Sequence, residues 1–516
     1  MIPQKIRIGI SIRQPEVRFR LNSNYMSSDR IFPRAQYQAR PIEPSNSPHW
    51  GLKLASFLQE AEACAFAERL QRDKVDVEIL KAGVPVTVEG KVYYSEVWYV
   101  AAGSWQSPND ALKEQQKWIS ENPSASTCRF PDEIPRIEVI RLSKPEGGRV
   151  KIAAQDGSLE RIVESPIRIS PASIQSAFEI EDVRIGIDFP WDHREQLSFR
   201  GDLELVVDGD RLTLVNEIVL EDYLVSLLGS EMRPDWHLDA LAAQAVAARS
   251  TVLATRGRHH YAEAFDLCHD DHCQCYQGVT HESDIARKAL QMAPSALLVY
   301  QDKIVDARYS KACGGFTEDY ATAWEDWTLP YLKSVVCGTL KKTIGDKLSL
   351  QDNLSFGRHL GSNLNWIACN PEVFPYPPSS RDMESNFRWS VSYTNNDISE
   401  KIYIRTGRDL GMIHDLQPLR RGASGRIIFL RVVGENGQIT VGKELSIRRL
   451  LSDSHLPSSA FLVHKQKDGG FTLSGLGWGH GVGLCQLGSA ALAQRGWSWS
   501  SLLKHYYPGA SLIYLR

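Results

Sequence analysis

No apolar run in the chain approaches the roughly 18–20 residues that a membrane-spanning helix needs. Charge of one sign is not in excess either. Lys and Arg number 59 against 62 Asp and Glu, a formal net charge of −3, so no global basic field draws the chain to nucleic acid or anionic lipid. The opening residues, Met1 to Arg20, alternate charged and apolar side chains and lack the apolar core of about 7–15 residues that marks a secretory signal peptide. Cysteine is sparse and odd in number, nine in 516 residues, which excludes a fully paired disulfide framework. Most of the nine are dispersed, as small buried hydrophobes are. Cys268, Cys273 and Cys275 are the exception, falling within eight residues. Tryptophan is plentiful, at 13; its indole faces serve core packing or the stacking of sugar rings.

The length predicts roughly two to four domains, and the mixture of periodicities predicts an α+β chain. Ile6 to Ile12 reads as a strand, and Ser27 to Ser47, rich in Pro, Arg, Ser and Asn, as a loop or linker. Residues 1–47 are therefore expected to form an N-terminal strand and linker. Within 48–130 a pattern repeats. "LKLASFLQEAEACAFAERL" and "WYVAAGSWQSPNDALKEQQ" both run from strand to Ala-containing helix, predicting a split β-α-β, ferredoxin-like domain. Its strand-end aromatics Phe57, Trp98 and Trp105 would offer faces for stacking a sugar strand. From 134 to 516 a larger mixed domain follows, with an antiparallel strand-rich part. Leu220 to Leu228 reads as a helix. Pro234 is expected to open a second one, apolar along Leu238, Leu241, Ala242, Ala245 and Ala248. Residues 341–385, with "PEVFPYPPSS", read as an irregular surface insertion.

Chemistry concentrates in a few places. Glu231 lies beside Leu227, Leu228, Met232 and Trp236, an apolar setting that favours the protonated acid a glycosidic leaving group needs. Arg249 is an anomalous charge on the Ala-rich face. It either clamps a carboxylate at the site or pairs internally with Glu221 or Asp222. "CHDDHCQCY" (268–276) offers more donors than the four of a structural zinc site. The preferred ligands are His260, Cys268, His272 and Cys273, with a disulfide or a reduced loop as the alternative. "GWGHGVGLCQLG" (477–488) holds five Gly in 12 residues, too many for a regular element. Its spacing is not that of a dinucleotide-binding loop, and it presents His480 and Gln486.

Three segments, "VNEIVLEDYLVSLLGSEMRPDWHLDALAAQAVAARS" (215–250), "YSKACGGFTEDYATAWEDWTLPYLKSVVC" (309–337) and "GLGWGHGVGLCQLGSAALAQRGWSWSSLLKHYYPGA" (475–510), resemble in order those of the stage II sporulation protein D and amidase enhancer family. "RRGASGR" (420–426), "LSIRRLL" (445–451) and "FRW" (387–389) extend the likeness over about 180–516. Residues 48–130 resemble a sporulation-related repeat (SPOR) domain, a glycan-binding module. The resemblance implies a peptidoglycan lytic transglycosylase acting on MurNAc–GlcNAc bonds of denuded strands in the cell envelope, outside the cytoplasm. Glu231 of Ser230-Glu231-Met232 would be the catalytic acid, although Arg233 intervenes before Pro234. Arg249, Tyr331, His480, Gln486 and Tyr506 would contact substrate, and zinc would be structural, with no cofactor needed for cleavage. Cys313 and Cys337 could pair in an oxidising compartment. Where the family has Ser-Gln-Tyr-Gly, this chain has Cys485-Gln486-Leu487-Gly488. The other readings are a non-catalytic activator of a cell-wall amidase and a glycan-binding scaffold.

Overall fold

The computed structural model describes residues 4–28, 30–46, 48–187, 192–338, 350–362, 364–373 and 386–515. It is a mixed α+β molecule with several antiparallel sheets. The repeat in the sequence folds as a ferredoxin-like unit. Its four-stranded antiparallel sheet runs in the order Glu138–Arg141, Trp50–Phe57, Val97–Trp105, Val77–Ala82. Helices Glu60–Arg72 and Pro108–Glu121 follow the first and third strands in sequence. Pro108 suits the first turn, and the Ser107 side chain accepts from the Asp110 N–H at 3.1 Å, satisfying one of the helix's open donors. Alternate residues of the sheet, Leu52, Leu54, Val100 and Ala102, bury against Ala63, Ala67 and Leu70 of the first helix. The other face, carrying Ala82, Val97 and Tyr99, packs on Tyr261 and Trp327 of the main body.

Two expected boundaries move. The fourth strand of this unit is Glu138–Arg141, beyond the expected end at 130. The stretch read as a linker carries the strands Arg30–Phe32 and Ala35–Glu43. Ala35–Glu43 sits inside a six-stranded sheet, between Val17–Leu21 and Arg149–Ala154. Tyr37 and Ala39 are fully buried there, an alternation that the surrounding Arg, Gln and Pro obscured in the sequence. Pro41 lies past the last residue paired to Val17–Leu21, so its missing N–H breaks no bond on that side. The ferredoxin-like unit is thus an excursion between two paired strands, Ala35–Glu43 and Arg149–Ala154.

Lys5–Gln14 likewise belongs to the main body, pairing antiparallel with Arg211–Val219 in a seven-stranded sheet and parallel with Leu267–Cys268. The chain leaves that sheet into helix Leu220–Glu231, so Glu231 is the last residue of the helix rather than part of an inter-helix loop. Pro234 opens no helix. A turn follows it, and the next helix is Leu238–Thr255, with the His237 side chain accepting from the Asp239 N–H at its start. Residues Ala240 to Thr255 are all buried; the Ala-rich composition lets neighbouring elements approach on every side. A second core, around Ile402, Leu430, Ile447 and Leu473, underlies the strand-rich C-terminal part. Of the expected insertion 341–385, residues 341–349, 363 and 374–385 lie outside the described residues. The remainder holds helix Asn353–Leu360 and sends Ile367, Ala368 and Cys369 into the main core, so it is not a surface excursion. Among the described residues no helix is long and apolar enough to cross a membrane.

Candidate active site

A cleft of about 1610 Å³ opens between the ferredoxin-like sheet and the main body. Its lining includes Lys53 and Tyr99 from the former and Glu231, Trp324, His480 and Gln486 from the latter. Three separate stretches of chain converge on Glu231. Tyr309 donates its hydroxyl to Oε1 at 3.2 Å, the Cys275 N–H approaches the same oxygen at 3.4 Å, and Gln486 Nε2 donates to Oε2 at 3.2 Å. Lys311 Nζ donates to the Glu231 carbonyl at 3.1 Å, a cation at a helix C-terminus where open carbonyls and the helix dipole favour one. The apolar neighbours in sequence, Leu227, Leu228, Met232 and Trp236, are buried in the core. The carboxylate itself is held by polar donors.

Strand pairing explains the convergence. Tyr309 and Ser310 run parallel to Leu484 and Cys485, placing Tyr309 and Gln486 side by side at the helix end. The glycine-rich loop is shaped by Arg426 of "RRGASGR". Its fully buried guanidinium donates to the carbonyls of Ala312, Cys313 and Gly479. A Cβ on Gly481 would come within 2.4 Å of that guanidinium, which requires glycine there. Glu318 anchors the "GAS" turn by accepting from the Ala423 and Ser424 N–H groups and the Ser424 hydroxyl at 2.7–3.0 Å; burial pushes its carboxyl above the usual range, opposed by those bonds. His480 Nδ1 accepts from the Val482 N–H at 3.0 Å, and its ring packs on Trp324 at 4.7 Å. Burial, aided by the charges of Arg308, Arg426 and Arg448, depresses its pKa far below the ordinary value, so it lines the cleft as a neutral imidazole.

Three of the expected substrate contacts lie elsewhere. Arg249 is fully buried and bidentate to Glu221, with both N···O distances 2.8 Å, and its remaining donor reaches the Ala296 carbonyl. The internal pair, not the carboxylate clamp, is what the fold builds. Tyr331 is buried against Tyr300. Tyr506 is buried with its hydroxyl 3.2 Å from Cys337 Sγ. The aromatics Phe57, Trp98 and Trp105 are half-buried against their own domain's core rather than offered as open platforms. Sequence reasoning missed Asp271, which lines the cleft and accepts from Cys275 Sγ at 2.9 Å. Burial pushes its carboxyl up to about 6, and the nearby Glu231 charge adds to the rise. Read as part of a metal loop, "HDDH" gave no sign of a second acid in the cleft.

His260, Cys268, His272 and Cys273 do come together, their ligand atoms all within 4.8 Å of one another. Cys273 Sγ lies 3.3 Å from His260 Nε2 and 3.7 Å from His272 Nδ1, and Cys268 Sγ lies 3.9 Å from His272 Nδ1. Zinc bonds of about 2.3 Å to sulfur and 2.0–2.1 Å to nitrogen put neighbouring tetrahedral donors about 3.3–3.8 Å apart, so donor set and spacing both suit zinc. None of the nine cysteines is joined in a disulfide, so the bond that Cys313 and Cys337 could form in an oxidising compartment is not made here.

Residues 208–300, which contain Glu231 and this cluster, match the family described as "Stage II sporulation protein". Residues 318–483 match a domain of unknown function, DUF8618. An uncharacterized protein of Brachyspira hyodysenteriae is 26% identical over 318 residues, covering 61% of this chain and 73% of that protein. The amidase enhancer of Bacillus subtilis is 29% identical over 299 residues, covering 56% of this chain and 40% of that protein. Stage II sporulation protein D of Bacillus amyloliquefaciens is 24% identical over 312 residues, 58% of this chain and 75% of that protein. Through residues 208–300, the segment that carries Glu231, the chain is similar to the stage II sporulation protein D and amidase enhancer family.

Proposed function

We propose that the chain acts on the bacterial cell wall as a peptidoglycan lytic transglycosylase, with Glu231 as general acid and then base. The observation that carries this reading is the Glu231 carboxylate at the cleft, fixed by three donors from three distant parts of the chain. Protonated Glu231 gives its proton to the glycosidic oxygen as the bond from that oxygen to the MurNAc anomeric carbon breaks. The carboxylate then takes the proton of the MurNAc 6-hydroxyl as that oxygen closes on the same carbon. The product is a 1,6-anhydro end and no water is consumed, so no second carboxylate is required, unlike hydrolysis. Tyr309, Gln486 and the Cys275 N–H aim the carboxylate, and Trp324 and His480 supply a ring-shaped wall for the sugar. The substrate places the protein in the cell envelope, outside the cytoplasm. The ferredoxin-like unit takes part as a wall of the cleft, through Lys53 and Tyr99, more readily than as a separate glycan tether.

Zinc bound by His260, Cys268, His272 and Cys273 would act structurally, cross-linking the 259–275 segment. That segment delivers the Cys275 N–H to Glu231. One zinc equivalent should be lost in the double variant Cys268→Ser, Cys273→Ser, read by elemental analysis of protein purified without chelator; full retention would show that the ion sits elsewhere. Replacing Gln486 by Ala or Tyr309 by Phe removes one bond to the carboxylate. Each should lower kcat about tenfold, equivalent to roughly 1.4 kcal/mol, while KM changes little. A rise in KM at constant kcat would make these residues substrate binders instead. The name of the Bacillus subtilis relative favours a second reading, activation of a cell-wall amidase. It predicts that the purified chain leaves glycan uncut yet accelerates an added amidase.

A further inference from the structure

Cys313, Cys337, Cys369 and Cys485 are separated by up to 172 positions in the chain, yet their four sulfurs lie within 4.8 Å of one another. Their exposures are 2%, 0%, 0% and 0%. We propose that these four thiols form a second, all-cysteine zinc site, independent of the reaction assigned to Glu231. A tetrahedral ion with bonds of about 2.3 Å to sulfur sets neighbouring sulfurs about 3.8 Å apart, and Cys313 and Cys369 stand at 3.9 Å. That spacing admits one ion, whereas an iron–sulfur cluster must fit its own irons and sulfides between the thiolates. No pair is at the roughly 2.05 Å of a disulfide bond.

The surroundings are built for anionic sulfur. The Gly315 N–H points at Cys313 Sγ at 3.4 Å, and the N–H groups of Cys313 and Gly488 point at Cys485 Sγ at 3.3 Å each. Tyr506 places its hydroxyl 3.2 Å from Cys337 Sγ, where it donates once that sulfur is a thiolate. Such donors around the ligands tune and orient them. Gly488 is demanded by the same site, because a Cβ there would fall 2.3 Å from Cys337 Sγ and 2.7 Å from the Tyr506 hydroxyl. Four uncharged thiols packed together would need none of this. Zinc binding releases the thiol protons and yields the thiolates these donors face. The ion would tie the Cys313-Gly-Gly turn, the 337 and 369 segments and the start of helix Gln486–Gln494 into one knot, directly behind Gln486.

The test is metal content of the full chain, purified under thiol reductant without chelator. The wild type should carry two zinc per chain. Cys369→Ser, Cys485→Ser should lose one equivalent, and Cys268→Ser, Cys273→Ser should lose the other and keep this one. Equal zinc in the wild type and Cys369→Ser, Cys485→Ser overturns the proposal. Should that variant not fold, cobalt-loaded wild type decides. Its sulfur-to-cobalt absorption scales with the number of Co–S bonds, six with both sites filled and two with only the His260 set. An intensity about threefold that of two bonds supports the site; an intensity matching two bonds, or disulfides among the four cysteines in the intact mass, overturns it. Because metal content is read without turnover, failure here leaves the reading of Glu231 untouched, and the reverse also holds.

Discussion

Glu231→Gln should lower cleavage of denuded glycan by a factor of roughly 10²–10⁴, the usual cost of losing a general acid, with the fold intact. The substitution keeps size, and the amide oxygen still accepts from the Tyr309 hydroxyl and the Cys275 N–H. What goes is the proton. The helix that ends at Glu231 is held by Lys311 on its backbone carbonyl, which the side-chain change does not touch. Circular dichroism and thermal melting should therefore match the wild type while release of soluble fragments falls. Unchanged turnover by a folded variant would remove Glu231 from the chemistry.

Glu221→Ala should destabilise the chain by about 3 kcal/mol, the lower end of the range for breaking a buried ion pair. The asymmetry of the pair sets the direction. Glu221 has a side chain 42% exposed, while Arg249 is fully buried. Removing the acid leaves a guanidinium in the core, with the Ala296 carbonyl still accepting from it. Arg249→Met, which takes the charge away, should cost less than Glu221→Ala. Chemical denaturation of the two variants measures both, and KM of the folded fraction should stay at the wild-type value. A raised KM with undiminished stability would instead return Arg249 to substrate binding.

How much of this was legible in the sequence depended on how far apart the partners lie. The ferredoxin-like unit was readable because its strand and helix signals repeat locally within Trp50–Glu121; its closing strand at Glu138–Arg141 was not, since nothing local ties it to Lys53 and Trp50. The strands before residue 43 were hidden by their Arg, Gln and Pro content and, for Ala35–Glu43, by a partner strand, Arg149–Ala154, more than a hundred residues away. At the site, the His260, Cys268, His272 and Cys273 set could be chosen because imidazoles and thiols crowd one short segment. The four-cysteine cluster could not, because its members are single cysteines with no spacing signal. Arg249 shows the limit of a side-chain-type argument. A buried charge on an Ala-rich helix must be paired, but only the fold decides whether with Glu221 or with Glu231.

The central claim is that Glu231 drives closure of a 1,6-anhydro ring. Mass spectrometry of glycan strands, first stripped of peptide by an amidase and then incubated with the wild-type chain alone, tests it most directly. The account predicts fragments ending in 1,6-anhydro-MurNAc, absent with Glu231→Gln. Reducing ends carrying the elements of water would contradict it and point to hydrolysis with Asp271 as the second carboxylate. Uncut strands would contradict it in favour of amidase activation.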